Sequence, residues 1–218
     1  MRAIVFDLDD TLCLERVYAF SGFRAVATAF VDILGDPERA ARTMCQLFDT
    51  EHRPRVFDEA CRRAGQSGDE RLIARMIDTY RNHKPALELC PDADAVLNRL
   101  RDRCKLGIIS DGFLATQSAK IDALGLRDRV DEIILTDDLG REFWKPHPRA
   151  FELMARRLKV DAERCVYVAD NPAKDFIAPR ALGWRAIQIA RPEGVYRDRP
   201  AAENGAPHYV ITTLDDLV

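Results

Sequence analysis

An α/β fold built on a parallel sheet flanked by helices is expected from three observations. Short, continuous apolar runs recur along the chain, helix-patterned stretches separate them, and one all-helical stretch breaks the alternation directly after the first run. Runs that are apolar throughout, rather than alternating, mark strands covered on both faces. Strands alternating with helices of this length imply βαβ units with right-handed crossovers.

The first strand is Ala3-Ile4-Val5-Phe6, which stops at Asp7. Further strands are expected at Leu106-Gly107-Ile108-Ile109, Ile133-Ile134-Leu135, Cys165-Val166-Tyr167-Val168 and Ala186-Ile187-Gln188-Ile189, with a weaker one at Tyr209-Val210-Ile211. Between them, Pro91 to Arg103 carries Ala95, Val96, Leu97 and Leu100 on one side. A second helix pattern, Ala115 to Leu124, is stopped by Gly125, and Asp175 to Leu182 is stopped by Gly183. Pro148 to Leu158 is patterned by Phe151, Leu153, Met154 and Leu158.

Residues 14–88 contain no convincing strand. Phe20, Phe23, Ala27, Phe30, Val31 and Leu34 form one helical stripe, and Leu72, Met76 and Tyr80 form another. Gly35-Asp36-Pro37 and Gly65-Gln66-Ser67-Gly68-Asp69 read as breaks between helices. The expected organisation is therefore an α/β core of residues 1–13 and 89–218, interrupted by a helical domain at 14–88. The core alone, roughly 140 residues, is an ordinary size for one domain.

Composition narrows the function classes. The chain has 218 residues, 47% apolar and 32% charged, with a formal net charge of −3. Such a balance argues against a strongly basic nucleic-acid binder, though not against a local basic pocket. No apolar run approaches the roughly 18 residues of a membrane helix. Two acids within the first nine residues leave no room for a signal-peptide apolar region. The six cysteines are scattered without a CxxC pair, and read as small buried residues in a reducing cytoplasm.

Four groups of residues can carry chemistry. In Phe6-Asp7-Leu8-Asp9-Asp10-Thr11-Leu12, two acids sit where a buried strand opens into a loop, the place where α/β sheets bind ligands. Ser110-Asp111-Gly112 follows the second strand. Its hydroxyl and amides could hold a phosphate oxygen, or Ser110 or Asp111 could simply cap the next helix. Trp144-Lys145-Pro146-His147-Pro148 offers a fixed positive charge or an exposed loop lysine. His147 reads as a loop polar residue rather than a metal ligand. In Asp170-Asn171-Pro172-Ala173-Lys174-Asp175, a strand again ends in an acid and a second follows five residues later. Carboxylates suit a hard cation such as Mg2+, and the alternative is a capped helix start.

Asp7-Leu8-Asp9-Asp10-Thr11, Ser110, Lys145 and Asp170 with Asp175, in this order and at these places, resemble the four motifs of the haloacid dehalogenase (HAD) superfamily. The resemblance covers essentially the whole chain. It implies a Rossmann-like core and identifies 14–88 with the family's C1-type helical cap. Residue 10 is Asp where many members carry Gly.

The resemblance also implies roles. Asp7 would attack phosphorus and form an aspartyl-phosphate, so that one difficult displacement becomes two easier ones. Asp9 would protonate the leaving alcohol and then activate water. Mg2+ would be held by Asp7, the backbone carbonyl of Asp9, and Asp170. Lys145 would offset negative charge in the transition state. Ser110 with the Asp111 and Gly112 amides, together with Thr11 and Lys145, would hold the phosphoryl group, and Thr11 would also support its loop and hydrogen bonds. Asp175 would orient Lys145 or a metal-bound water from behind, with Asn171 beside it.

Within the family, Asp9 sets the expectation of a phosphomonoesterase. In the dehalogenase branch that position is not Asp, since halide leaves without a proton. In the mutase branch the residues after the motif usually read Gly-Val. A phosphomutase, a 2-haloacid dehalogenase and a non-catalytic binding protein remain as alternatives. The expected partner is a small-molecule phosphate ester. Nucleoside monophosphates, sugar phosphates, N-acylneuraminate 9-phosphate and flavin mononucleotide are all open. Neither nucleic acid nor membrane is expected, and the chain would be a monomer or homodimer. In the helical segment, Arg16, Tyr18, Arg24 and Arg53 are the candidates for choosing the leaving group, with Ser21 in the first helix region, His52 and Arg55 in the middle and His83 and Lys84 at the end also on offer. A solvated charged face explains them equally well. The stretch from Arg191 to Arg199 is read as a solvated loop.

Overall fold

The computed structural model describes residues 2–217. Six parallel strands form one sheet in the order β3-β2-β1-β4-β5-β6. They are β1 (Ala3–Phe6), β2 (Lys105–Ser110), β3 (Glu132–Leu135), β4 (Cys165–Ala169), β5 (Arg185–Ile189) and β6 (Tyr209–Ile211). This is a Rossmann-like α/β core. The chain runs outward from β1 through β2 to β3, then returns to place β4 on the other side of β1. Ligands of open α/β sheets bind at such a reversal, beyond the carboxyl ends of the strands.

Two compact units emerge from the chain: Met1–Glu15 with Glu88–Val218, and Arg16–Leu87. In the first, the strands are covered by α6 (Pro91–Leu100), α7 (Leu114–Ala123), α8 (Arg149–Leu158) and α9 (Ile177–Ala181). One core layer gathers Val5, Ile109, Phe151, Met154, Tyr167 and Trp184. The Phe151 ring meets Tyr167 edge-on at 4.9 Å and Trp184 at 5.6 Å. Helix α8 lies close over β2 because Gly107 has no side chain; a Cβ there would come within 2.7 Å of the Met154 sulfur.

The second unit contains the greater part of α1 (Glu15–Ala29), then α2 (Val31–Leu34), α3 (Pro37–Phe48), α4 (Val56–Arg63) and α5 (Glu70–Asn82). Phe23 is its centre, stacked on Tyr80 at 5.5 Å and edge-on to Phe48 and Phe57 at 6.1 Å. The starts of α3 and α5 are capped by Asp36, which accepts from Arg39 N, and Asp69, which accepts from Leu72 N, both at 2.8 Å. Those aspartates sit in the two breaks expected from the sequence.

Two expectations need correction. The helix expected from Asp175 to Leu182 is only Ile177–Ala181, because residues 171–175 are used in a turn. There the Asn171 carbonyl accepts from Asp175 N at 3.0 Å while the Asp175 carboxylate accepts from Asn171 N at 3.0 Å. Nor is the Arg191 to Arg199 stretch solvated throughout. Arg191 is buried, and its guanidinium donates to the Thr11 carbonyl at 2.7 and 3.1 Å and to the Asp92 carboxylate at 3.0 Å.

Candidate active site

The carboxyl ends of three adjacent strands deliver the side chains expected to carry the chemistry. Asp7 follows β1 directly, Ser110 ends β2 and Asp170 follows β4. The Asp7 amide donates to the Val168 carbonyl at 2.8 Å, which carries the β1–β4 ladder one residue beyond the strand. That bond draws Asp7 towards Asp170. Carboxylate oxygens of Asp7, Asp170 and Asp175 lie within 4.8 Å of one another, all three residues buried.

Lys145 is the cation of this cluster. Its ammonium lies 2.9 Å from Asp7 Oδ2 and 2.9 Å from Asp175 Oδ1, and donates to the Tyr167 hydroxyl at 3.0 Å. Burial alone would lower its pKa, but Asp175 and Asp7 outweigh that and hold the amine firmly charged. One ammonium does not balance three carboxylates. Burial pushes the Asp7 carboxyl up to about 7, against the pull of Lys145 and with the repulsion of Asp175 added. Asp170 is raised for the same reason, burial first and then the charges of Asp175 and Asp7. Its Oδ2 is buried without a hydrogen-bond partner. An unpartnered anionic oxygen in an over-acidic buried cluster fits a hard divalent cation.

Asp9 lies apart from that cluster. Both its oxygens face Lys120 Nζ, at 2.7 and 2.8 Å, and Oδ2 also accepts from the Gln117 amide at 2.9 Å. The same Gln117 nitrogen reaches Ser110 Oγ at 2.6 Å and the Asp111 carbonyl at 2.9 Å. Gly112 makes room for it: the backbone there has φ 132°, and a Cβ would come within 3.1 Å of the Gln117 side chain. Burial opposes the charge on Lys120, but Asp9 prevails and raises its pKa.

The Asp111 carboxylate is spoken for. It accepts from the Thr136 hydroxyl at 2.8 Å, Lys145 N at 3.1 Å and Lys174 Nζ at 2.6 Å. Burial works against its charge, yet Lys145 and Lys174 bring its pKa below the usual value. Asp10 has φ 50°, a left-handed conformation that explains why glycine serves at such a position. Aspartate gains there by accepting from Glu15 N and Val195 N, both at 2.8 Å.

The structure thus brings Asp7, Lys145, Asp170 and Asp175 together, and places Asp9 with Ser110 through Gln117. Asn171 sits behind the cluster, its amide on Asp175. Thr11 is fully buried and its hydroxyl finds no partner, so it supports the loop through its carbonyl bond to Arg191 rather than facing the open site. In the helical unit, Arg16 is paired with Asp49 at 2.8 Å and Arg53 lies over the Phe48 ring at 3.9 Å. Tyr18 is buried, packed on Tyr80 and His83, with its hydroxyl donating to the Tyr80 carbonyl at 3.3 Å. Arg24 is exposed. Sequence reasoning passed over Gln117, Lys120 and Lys174. A signal existed for the first two: their spacing of three puts both on one face of the helix that follows Ser110.

The family model for haloacid dehalogenase-like hydrolases matches residues 1–183. A glyceraldehyde 3-phosphate phosphatase of Methanopyrus kandleri is 31% identical over 228 aligned positions, covering 100% of this chain and 96% of its own. YfnB of Bacillus subtilis, a HAD-hydrolase solved bound to magnesium, superposes with TM-score 0.71 at 19% identity over 99% of this chain and 96% of that one. A 2-haloacid dehalogenase of Pseudomonas syringae superposes with TM-score 0.64 at 26% identity, over 100% and 96%. With the family model spanning most of the chain and both folds matching along their length, this chain belongs to the haloacid dehalogenase-like hydrolase family.

Proposed function

We propose that the chain is a Mg2+-dependent phosphomonoesterase acting on a small phosphorylated metabolite. The observation that carries this reading is the pair of acids two residues apart in different surroundings. Asp7 lies in the buried cluster with Lys145, whereas the Asp9 carboxylate is 23% exposed and held outside it. A nucleophile and a separate proton carrier are what ester hydrolysis through a covalent intermediate needs. The M. kandleri relative supports a small phosphate ester, a sugar-type phosphate among them.

Hydrolases of this family generally use a divalent metal, and Asp7 and Asp170 would hold it, with the backbone carbonyl of Asp9. Bound there, Mg2+ would supply positive charge to an anionic phosphate and to the over-acidic cluster. The chain's own residues do the rest. A carboxylate oxygen of Asp7 bonds to phosphorus as the ester oxygen leaves, and Asp9 gives that oxygen its proton. Asp9 then takes a proton from the water that attacks the aspartyl-phosphate, releasing inorganic phosphate and restoring Asp7. Lys145 keeps its charge throughout, between Asp7 and Asp175. Ser110 and the amides of Asp111 and Gly112 hold phosphoryl oxygens. Residues 14–88 serve as the cap that selects the leaving group, and Arg24 is the exposed one of its four named candidates. The six free cysteines favour the cytoplasm.

A phosphate-release screen over triose and other sugar phosphates, nucleoside monophosphates and flavin mononucleotide, with and without Mg2+, tests this reading. Turnover of one ester that Asp7→Asn abolishes is expected. Equal Mg2+-dependent turnover by wild type and Asp7→Asn removes the nucleophile assignment.

A further inference from the structure

Lys120 is an expensive residue where it stands. It is 4% exposed, on a helix face whose neighbours include buried Ile121 and Thr116. Lysine is almost never buried to this extent unless paired, and replacing such a pair as a whole by apolar residues is often neutral for stability. Its ammonium sits nearly equidistant from the two Asp9 oxygens, at 2.7 and 2.8 Å. Gln117, one turn earlier, fixes Oδ2 at 2.9 Å and with the same nitrogen holds Ser110 Oγ and the Asp111 carbonyl. The two residues thus grip Asp9 from the same helix that supports the Ser110 turn. A carboxylate on a loop would otherwise rotate freely about its side-chain bonds. Proton transfer to a leaving oxygen requires it within hydrogen-bond reach, and an error of an ångström is costly.

We propose that Lys120 and Gln117 are positioning residues that lock the orientation of the Asp9 carboxylate against the Ser110 turn, so that the group moving protons and the group holding phosphate keep a fixed separation. The proposal rests on the phosphatase reading. It assigns neither residue a contact with substrate: both act through Asp9 and Ser110.

The test compares two esters whose leaving groups differ in their need for a proton. Nitrophenolate departs without one, whereas the alkoxide of β-glycerophosphate does not. The Lys120→Met variant is expected to lose about 100-fold in kcat/KM for β-glycerophosphate and less than about 5-fold for p-nitrophenyl phosphate. On p-nitrophenyl phosphate it should show a burst of nitrophenolate before a slowed steady state, because Asp9 is also needed to activate water. Lys120→Arg restores the ratio of the two kcat/KM values to within about 3-fold of wild type, since the charge is kept. The ratio is independent of how much variant folds, because the same molecules turn over both esters. Should Lys120→Met not accumulate, Gln117→Leu carries the same expectation, with a change in ratio of about 10-fold. An unchanged ratio, with both esters slowed equally or neither slowed, overturns the proposal. Absence of turnover by wild type on both esters would instead undo the phosphatase reading.

Discussion

Asp7 and Asp9 stand two residues apart, yet their surroundings follow opposite rules. Asp7 belongs to a buried group in which three carboxylates share one lysine, and in which Asp170 Oδ2 has no partner. Asp9 is paired with a buried lysine and further held by an amide. The first arrangement is unbalanced and stands ready for positive charge from outside. The second holds its own counterion. Charge that awaits a ligand and charge that fixes a side chain can therefore be told apart by counting partners.

The comparison can be broken or sharpened by substitution. Asp7→Asn should lower turnover by about 10,000-fold or more, measured as phosphate release on the best ester from the screen. Asp9→Ala should destabilise the chain by about 3 kcal/mol in urea unfolding, because it strands the Lys120 ammonium in the interior. Adding Lys120→Met to Asp9→Ala should recover most of that loss. If it does not, the pair is not the unit described here.

Removing an acid from the other group should do the reverse. Without metal, Asp170→Asn is expected to stabilise by about 1 kcal/mol or more, since it relieves repulsion among buried carboxylates. Added Mg2+ should raise the wild-type Tm and leave that of Asp170→Asn nearly unmoved. A destabilised Asp170→Asn would mean the cluster is balanced after all.

The same comparison extends to pH. The Asp7 carboxyl is raised in the folded chain from 3.8 to about 7, so the folded state binds the extra proton. Its contribution to stability is full below pH 3.8 and is lost as pH rises through about 7. The metal-free Tm of Asp7→Asn minus that of wild type should grow across that interval, and Mg2+ should flatten the trend.

How much of this could be read from the chain depends on distance along it. The strands were visible because each is a continuous apolar run, and Asp7, Ser110 and Asp170 were visible because they end such runs. The helical segment was visible through the Phe23 and Met76 stripes and its two breaks. What escaped were pairings between distant residues. Lys120 lies 111 positions from Asp9, and on sequence alone it is one more polar residue on a helix. Lys174 was passed over between two more conspicuous acids, though it reaches back to Asp111 across 63 positions. Arg191 reads as solvated because the Pro-Gly content of its stretch marks a turn, and nothing local distinguishes it from Arg197 and Arg199, which are exposed. Tyr18 looked available for substrate because an early helical tyrosine says nothing about Tyr80.

The Arg191 guanidinium reaches the Thr11 carbonyl from 180 positions downstream, and Val195 N reaches Asp10 from 185. The loop that carries Asp7 and Asp9 is therefore made early in synthesis and secured late. A ribosome must pass Val195 before the loop has the donors that hold it, so an emerging chain carries its acids long before it carries their scaffold.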